Sequence, residues 1–253
     1  MKSLLRKGWR PFMVLLLILI IWELAVRLAK VPGWLLPSPS AIFLEGINDW
    51  TSFLPHLVST IKLSLLGLLI GSGIGFLTAI LLHLIPAFES AFYPLLILSQ
   101  NVPIIVLAPL LIIWFGFGLL PKLIVITLVC FFPITVAALD GFKQTTPELK
   151  SYMIMAGAKR LQLFQKLEFP FALPAIFSGL KISATYSVMG AVISEWLGAK
   201  SGIGVYMTLA SSSFQTAKVF VAIFIIMILS LLFIAIITLF ERRWIRWQRK
   251  GEH

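Results

Sequence analysis

Residues 57–83 read LVSTIKLSLLGLLIGSGIGFLTAILLH, with Lys62 as the one charged side chain before His83. That run exceeds the roughly 20 apolar residues that carry a helix through a hydrocarbon core about 30 Å thick. Gly67, Gly71 and Gly75 recur every four residues along it. Such a GxxxGxxxG stripe lets a second helix approach backbone to backbone, so its first reading is helix packing.

Working outward, five further stretches have the same character: residues 11–29, 92–116, 121–141, 174–196 and 218–240. Together they predict a single all-α, polytopic membrane domain over residues 1–253, with about six transmembrane helices. Composition agrees, with 59% hydrophobic and 12% charged residues and a mean hydropathy of +1.00. A soluble domain carries about 25% charged residues.

The net charge of +11 does not mark a nucleic-acid face. Of 21 Lys and Arg, four lie in residues 2–10, five in 143–166 and five in 242–250, between or beyond the apolar runs. Bases concentrated there mark cytoplasmic loops. With the N-terminus inside, the loop after the fourth span and the tail after the sixth fall inside as well. Both ends are therefore expected in the cytoplasm of a bacterial cell, with the chain in its inner membrane. The first span is not read as a signal peptide: it reaches Ala29 and lacks a small-residue cleavage pattern.

Between the first two spans, Ser38 and Pro39 offer an N-cap and a first helical position for a short interfacial helix through Asp49. Trp34, Trp50, Trp196, Trp244 and Trp247 lie near span ends, where indoles anchor a helix at the headgroups. Cys130 is the only cysteine, so no intrachain disulfide can form. His56, His83 and His253 show no ligand spacing, and no nucleophile–base set is recognisable. Gly71, Gly73 and Gly75 precede no Gly-Lys-Ser or Gly-Lys-Thr, so ATP is not expected on a phosphate loop of this chain. Neither a catalytic residue nor a metal site is expected.

Polar side chains within the runs either tie helices together or line a pathway. Gln100 and Asn101 stand beside Ser99 and Pro103 in the third span. Ser183, Tyr186 and Ser187 share roughly one face of the fifth, with Glu195 near its outer end and Lys181 placed to snorkel outward. Gln100, Asn101, Ser183, Tyr186, Ser187 and Glu195 are the candidates for a translocation pathway.

The connection 142–173 is far longer than the usual 2 to 8 residues between bundle helices. From Tyr152 to Leu167, Met153, Ala156, Leu161, Phe164 and Leu167 alternate with Lys159, Arg160, Gln162, Gln165 and Lys166 at helical spacing, predicting one amphipathic helix. Such a helix lies on anionic lipid or docks into a cytoplasmic partner.

Gly157 followed nine residues later by Leu167-Glu168-Phe169-Pro170 resembles the glycine and I-x-L-P half of the EAA loop of ATP-binding cassette importer permeases. The naming Glu-Ala-Ala triplet falls on Ser151, Tyr152 and Met153, a departure from the family pattern. Leu36-Pro37-Ser38-Pro39, Ala108-Pro109, Trp114-Phe115-Gly116, Lys122 and Phe132-Pro133 resemble the nitrate, sulfonate and taurine branch, and the likeness runs over residues 34–245. Glu195-Trp196-Leu197-Gly198, then Ser201-Gly202-Ile203-Gly204 and Tyr206-Met207, resemble permeases for the thiamine pyrimidine precursor.

The resemblance implies a non-enzymatic permease, as a homodimer embedded in lipid, carrying a small polar solute such as hydroxymethylpyrimidine. Sulfonate, taurine or nitrate import is the alternative, with ion-driven secondary transport behind it. It further implies an extracytoplasmic substrate-binding protein and a cytoplasmic ATPase dimer that holds ATP and Mg²⁺, no cofactor being bound by this chain. The loop contacting that ATPase would present Met153, Gly157, Ala158, Lys159, Arg160, Leu161, Phe164 and Pro170.

Overall fold

The computed structural model describes residues 2–245, all of whose regular elements are helical. Trp247 and the bases Arg246, Arg249 and Lys250 lie outside the described residues. Among the described residues, five helices are long and apolar enough to cross a membrane: α1 (Lys2–Leu28, counted from Trp9), α3 (Trp50–Leu84), α6 (Leu119–Lys143), α9 (Phe169–Glu195, with the helical residues that lead into it) and α11 (Thr216–Trp244). Between α1 and α3, α2 (Pro39–Asn48) begins where the sequence predicts, with Ser38 Oγ accepting from Ala41 N at 3.3 Å.

α6 is the central element, packed along α3 on one side and α9 on the other. The glycine stripe of α3 makes the first contact: a methyl group on Gly71 would meet Cys130 Cβ and the Thr127 carbonyl oxygen at 2.8 Å, and Gly67 and Gly75 face Ile126 and Ile134 as tightly. On the other side Gly179 of α9 lies against the Pro133 carbonyl, and Ser183 Oγ donates to the Cys130 carbonyl at 2.8 Å. Leu63, Ile126, Cys130, Ala184, Val188 and Phe233 fill the space among α3, α6, α9 and α11.

The expected third span is not one helix. It divides into α4 (Pro86–Ser99) and α5 (Ile104–Phe115) around Gln100–Pro103. Pro103 has no N–H to continue the ladder, and its ring pushes Val102 away from helical geometry. Asn101 Nδ2 donates to the Ile97 carbonyl at 3.1 Å, taking the place of the lost backbone donor. Ser99 Oγ also donates to the Leu96 carbonyl at 2.8 Å, which keeps its backbone donor, Gln100 N, at 3.3 Å.

The amphipathic helix expected over residues 152–167 is also divided. α7 (Pro147–Met155) stops, the chain turns through Ala156–Lys159, and α8 (Arg160–Leu163) leads through a π-helical turn, Phe164–Glu168, directly into α9. Gly157 causes the stop: its φ is +83°, Gly157 N donates to the Ile154 carbonyl and Ala158 N to the Met153 carbonyl. That pair of bonds is the Schellman closure, which places glycine at the left-handed position. Lys181 does not simply snorkel; its Nζ pairs with Glu241 of α11 at 2.6 Å. Trp34, Trp50, Trp196 and Trp244 are all exposed near helix ends.

Candidate functional site

The expected pathway residues separate onto two faces of α9. Ser183 and Ser187 turn inward with Ala184, Val188 and Ala191, and each hydroxyl is satisfied by a backbone carbonyl, Cys130 for Ser183 and Ala184 for Ser187. They serve packing, and the structure does not bring them to an open surface. Tyr186 lies on the other face with Ile182 and Met189. There it lines a groove of about 550 Å³ with Gln100 and Ile104 from the α4–α5 break and Phe132, Pro133 and Asp140 from α6. Asn101 is exposed at the same break, its amide bound to Ile97. The sequence reading missed Asp140 because it sits one turn before the end of α6, where an acidic residue is unremarkable.

Glu195 belongs to a separate construction at the other end of α9. Its side chain is 1% exposed and joins three helices. Oε1 accepts from Thr60 Oγ1 of α3 at 2.7 Å, and Oε2 accepts from Gly204 N in the first turn of α10 (Ile203–Ser212) at 2.8 Å. Thr60 Oγ1 in turn accepts from Ile203 N at 2.8 Å, and His56 Nδ1 lies 2.9 Å from the Gly202 carbonyl oxygen and 3.1 Å from Gly202 N. Thr60 and Glu195 thus satisfy the first two amides of α10, Ile203 and Gly204, and a carboxylate there complements the helix dipole. Gly202 has φ +134°, and any side chain on it would enter the Glu195 carboxyl group.

Loss of the Glu195 carboxyl should strand the Gly204 amide, at about 1–3 kcal/mol for an unsatisfied buried group, while the Thr60 hydroxyl keeps the His56 carbonyl at 3.2 Å. Glu195→Ala is therefore expected to lower the unfolding temperature in detergent well below that of Glu195→Gln, which keeps one acceptor. Equal unfolding temperatures for the two variants would refute this account.

Beside this network, Tyr206 OH donates to Asp49 Oδ2 at 2.7 Å, and Lys218 Nζ lies 3.4 Å from the same oxygen. Burial alone would raise the Asp49 carboxyl, but the Tyr206 hydrogen bond and the Lys218 charge outweigh it and hold the group below the usual carboxylate range. These contacts tie α2, α10 and α11 together at one end of the bundle.

The 142–173 connection forms the opposite end. Tyr152, Ile154, Met155 and Leu161 are exposed around the Gly157 turn, Met155 at 79%. Ala158 and Met153 are half-buried and Lys159 is exposed. Three expected contact residues are turned elsewhere. Phe164 is buried against Phe142 and His83, Pro170 is half-buried in the first turn of α9, and Arg160 Nη2 donates to the His83 carbonyl at 3.1 Å. Phe164 points inward because it opens the π-helical turn, which a 3.6-residue period does not anticipate.

A family model described as binding-protein-dependent transport system inner membrane component matches residues 71–246. The formylaminopyrimidine transport permease protein ThiX of Halalkalibacterium halodurans is 36% identical, over 95% of this chain and 96% of its own. The putative aliphatic sulfonates transport permease protein SsuC of Bacillus subtilis is 32% identical, over 98% and 91%. The riboflavin transport system permease protein RibX of Chloroflexus aurantiacus is 30% identical, over 98% and 94%.

Proposed function

The chain belongs to the family of binding-protein-dependent transport inner-membrane components, the permease subunits of ATP-binding cassette importers, and from that premise we propose that it carries a small aminopyrimidine-type solute. Permeases of this family are multi-pass membrane proteins that work with an ATPase and a substrate-binding protein and are not themselves enzymes. Membership sets aside the ion-driven transporter.

The solute class rests on the groove. Its lining offers one carboxylate, Asp140, with the Gln100 amide, the Tyr186 phenol and the Phe132 ring, and no Lys or Arg. An aminopyrimidine brings N–H donors for the carboxylate and amide and a flat ring for the aromatic faces. A sulfonate or nitrate anion would meet like charge at Asp140 with no cation in the lining to offset it. A thiamine pyrimidine precursor such as hydroxymethylpyrimidine has the required chemistry.

Two copies pair across this face. Gln100 and Tyr186 lie at membrane depth, where polar groups face protein or water and not lipid. α4 and α5 together make the third of six crossings, since their 14 and 12 residues at about 1.5 Å each exceed the hydrocarbon thickness. Both termini and the 142–173 connection then lie in the cytoplasm of a bacterial cell, and the outward apolar side chains of α1 meet lipid. The exposed surface around Gly157 docks into the ATPase dimer, which holds ATP and Mg²⁺; this chain binds no cofactor.

Proteoliposomes holding the permease with its ATPase, supplied with the binding protein, test the reading. ATP-dependent uptake of labelled hydroxymethylpyrimidine and not of taurine is expected. Asp140→Asn should cut that uptake about tenfold, the worth of one hydrogen bond to a charged group. Taurine uptake in its place, or an Asp140→Asn variant with unchanged pyrimidine uptake, would exclude the proposed solute class.

A further inference from the structure

The cytoplasmic end of α3 is held by the 142–173 connection through a buried cluster that the transport reading leaves unused. Glu168, the last residue of the π-helical turn, is 6% exposed. One of its oxygens meets Lys150 Nζ of α7 at 2.7 Å and the other meets His83 Nε2 of α3 at 2.7 Å. Arg160 of α8 adds a fourth element by donating to the carbonyl of that same histidine. The His83 ring sits beside Phe142 and Phe164, with centroids 5.0 and 5.8 Å away, so it has little freedom to follow Glu168 elsewhere.

We propose that Glu168, with His83 and Lys150, is a positioning clamp that passes movement of the Gly157 turn to α3. The inference rests on the reading that this turn docks into the ATPase. The geometry supplies the reason. The connection continues covalently into α6 and α9 but reaches α3 only through side chains. Without a tie at His83, α3 would follow the turn only through the apolar contacts of Ala79 and Leu82 with Phe142 and Phe164 and through its packing on α6 and α9. With the tie, α3 and α9 move as a pair on either side of α6. Charge-assisted bonds in a buried setting are short and directional, which suits a strut better than apolar contact does. The π-helical turn also brings Glu168 and Phe164 inward together, as a regular turn would not place them relative to α9. The clamp uses a glutamate from within the connection, in a chain whose Glu-Ala-Ala positions hold Ser151, Tyr152 and Met153.

The test uses the assembled permease, ATPase and binding protein in proteoliposomes, and reads solute accumulated per ATP hydrolysed. ATPase retained on purification is read separately. Glu168→Gln is expected to retain the ATPase and hydrolyse ATP at the wild-type rate while solute per ATP falls about tenfold. Lys150→Met, which leaves the His83–Glu168 bond in place, should give a smaller fall in the same ratio. His83→Gln, which keeps an N–H donor, should transport better per ATP than His83→Leu. An unchanged ratio in Glu168→Gln and Lys150→Met overturns the proposal. So does a loss of uptake that merely follows loss of folded protein or of bound ATPase, which is what a purely structural cluster would give. If the wild-type permease retains no ATPase, the docking reading fails and the clamp with it. If the wild type retains ATPase and only the ratios are insensitive, the clamp alone fails.

Discussion

Gly71→Leu is expected to leave no folded permease in the membrane, whereas Gly73→Leu, two residues along the same helix, is expected to behave as wild type. The contrast follows from where the two Cα–H groups point. A first side-chain carbon on Gly71 would lie 2.8 Å from both Cys130 Cβ and the Thr127 carbonyl oxygen of α6. That oxygen belongs to a helix backbone and cannot rotate aside. Gly73 has nothing within 4 Å in that direction. Inserting one methylene into a packed core costs about 1–3 kcal/mol, and a leucine adds several at a contact that must open along its length. The sum reaches the 5–15 kcal/mol that stabilises a typical domain. Membrane helices lack a hydrophobic drive toward each other and depend on close packing, so separating α3 from α6 removes one of the two most extensive contacts of the bundle. Fluorescence-detected size exclusion of tagged variants measures the outcome. Monodisperse Gly71→Leu protein at the wild-type level would show that the stripe is not a packing surface.

That stripe was legible in the sequence because GxxxGxxxG has one structural meaning in an apolar run. The same holds for the Ser38 cap and the apolar runs themselves, each of which is local, whereas the helix expected through Gly157 is stopped there. The failures share a cause. Dividing the third span required knowing that Pro103 would break the helix and not merely kink it, an outcome in which Asn101 Nδ2 takes over the Ile97 carbonyl and Val102 N turns back to the Ser99 carbonyl. Ser183, Tyr186 and Ser187 fall within one wide arc of α9, but α6 covers only part of it. The boundary between packed Ser187 and open Tyr186 is set by a neighbour more than 40 residues away in the chain. Glu168 and His83 are 85 positions apart, and Thr60 and Glu195 are 135 apart. No periodicity connects such partners. The family resemblance drew attention to Glu195 and the Gly157 loop, but it carried no information on the contacts either makes.

The largest functional loss is expected at the Gly157 turn. Met155→Glu and Gly157→Val should each abolish uptake, by different routes that one pair of measurements separates. Met155 is 79% exposed beside Tyr152 and Ile154, an apolar tip at the end of α7 that water would not select. Once that tip is covered by the ATPase, a glutamate there becomes a buried charge with no assured partner, at a cost of about 2–5 kcal/mol, or roughly 30-fold or more in affinity. Met155→Glu should therefore fold normally, since nothing in the free permease covers the position, and lose the ATPase on purification. Gly157→Val acts within the permease itself. Its φ of +83° is strained for a β-branched residue although no neighbour lies within 4 Å, so the cost is conformational and not steric crowding. The Schellman closure that turns the chain toward α8 would open, displacing Ala158 and Lys159 and reshaping the surface. Gly157→Val should consequently show faster proteolysis in the 156–159 turn even before the ATPase is added, and Met155→Glu should not. ATPase retention at the wild-type level by both variants, with uptake intact, would mean that the partner grips the permease elsewhere.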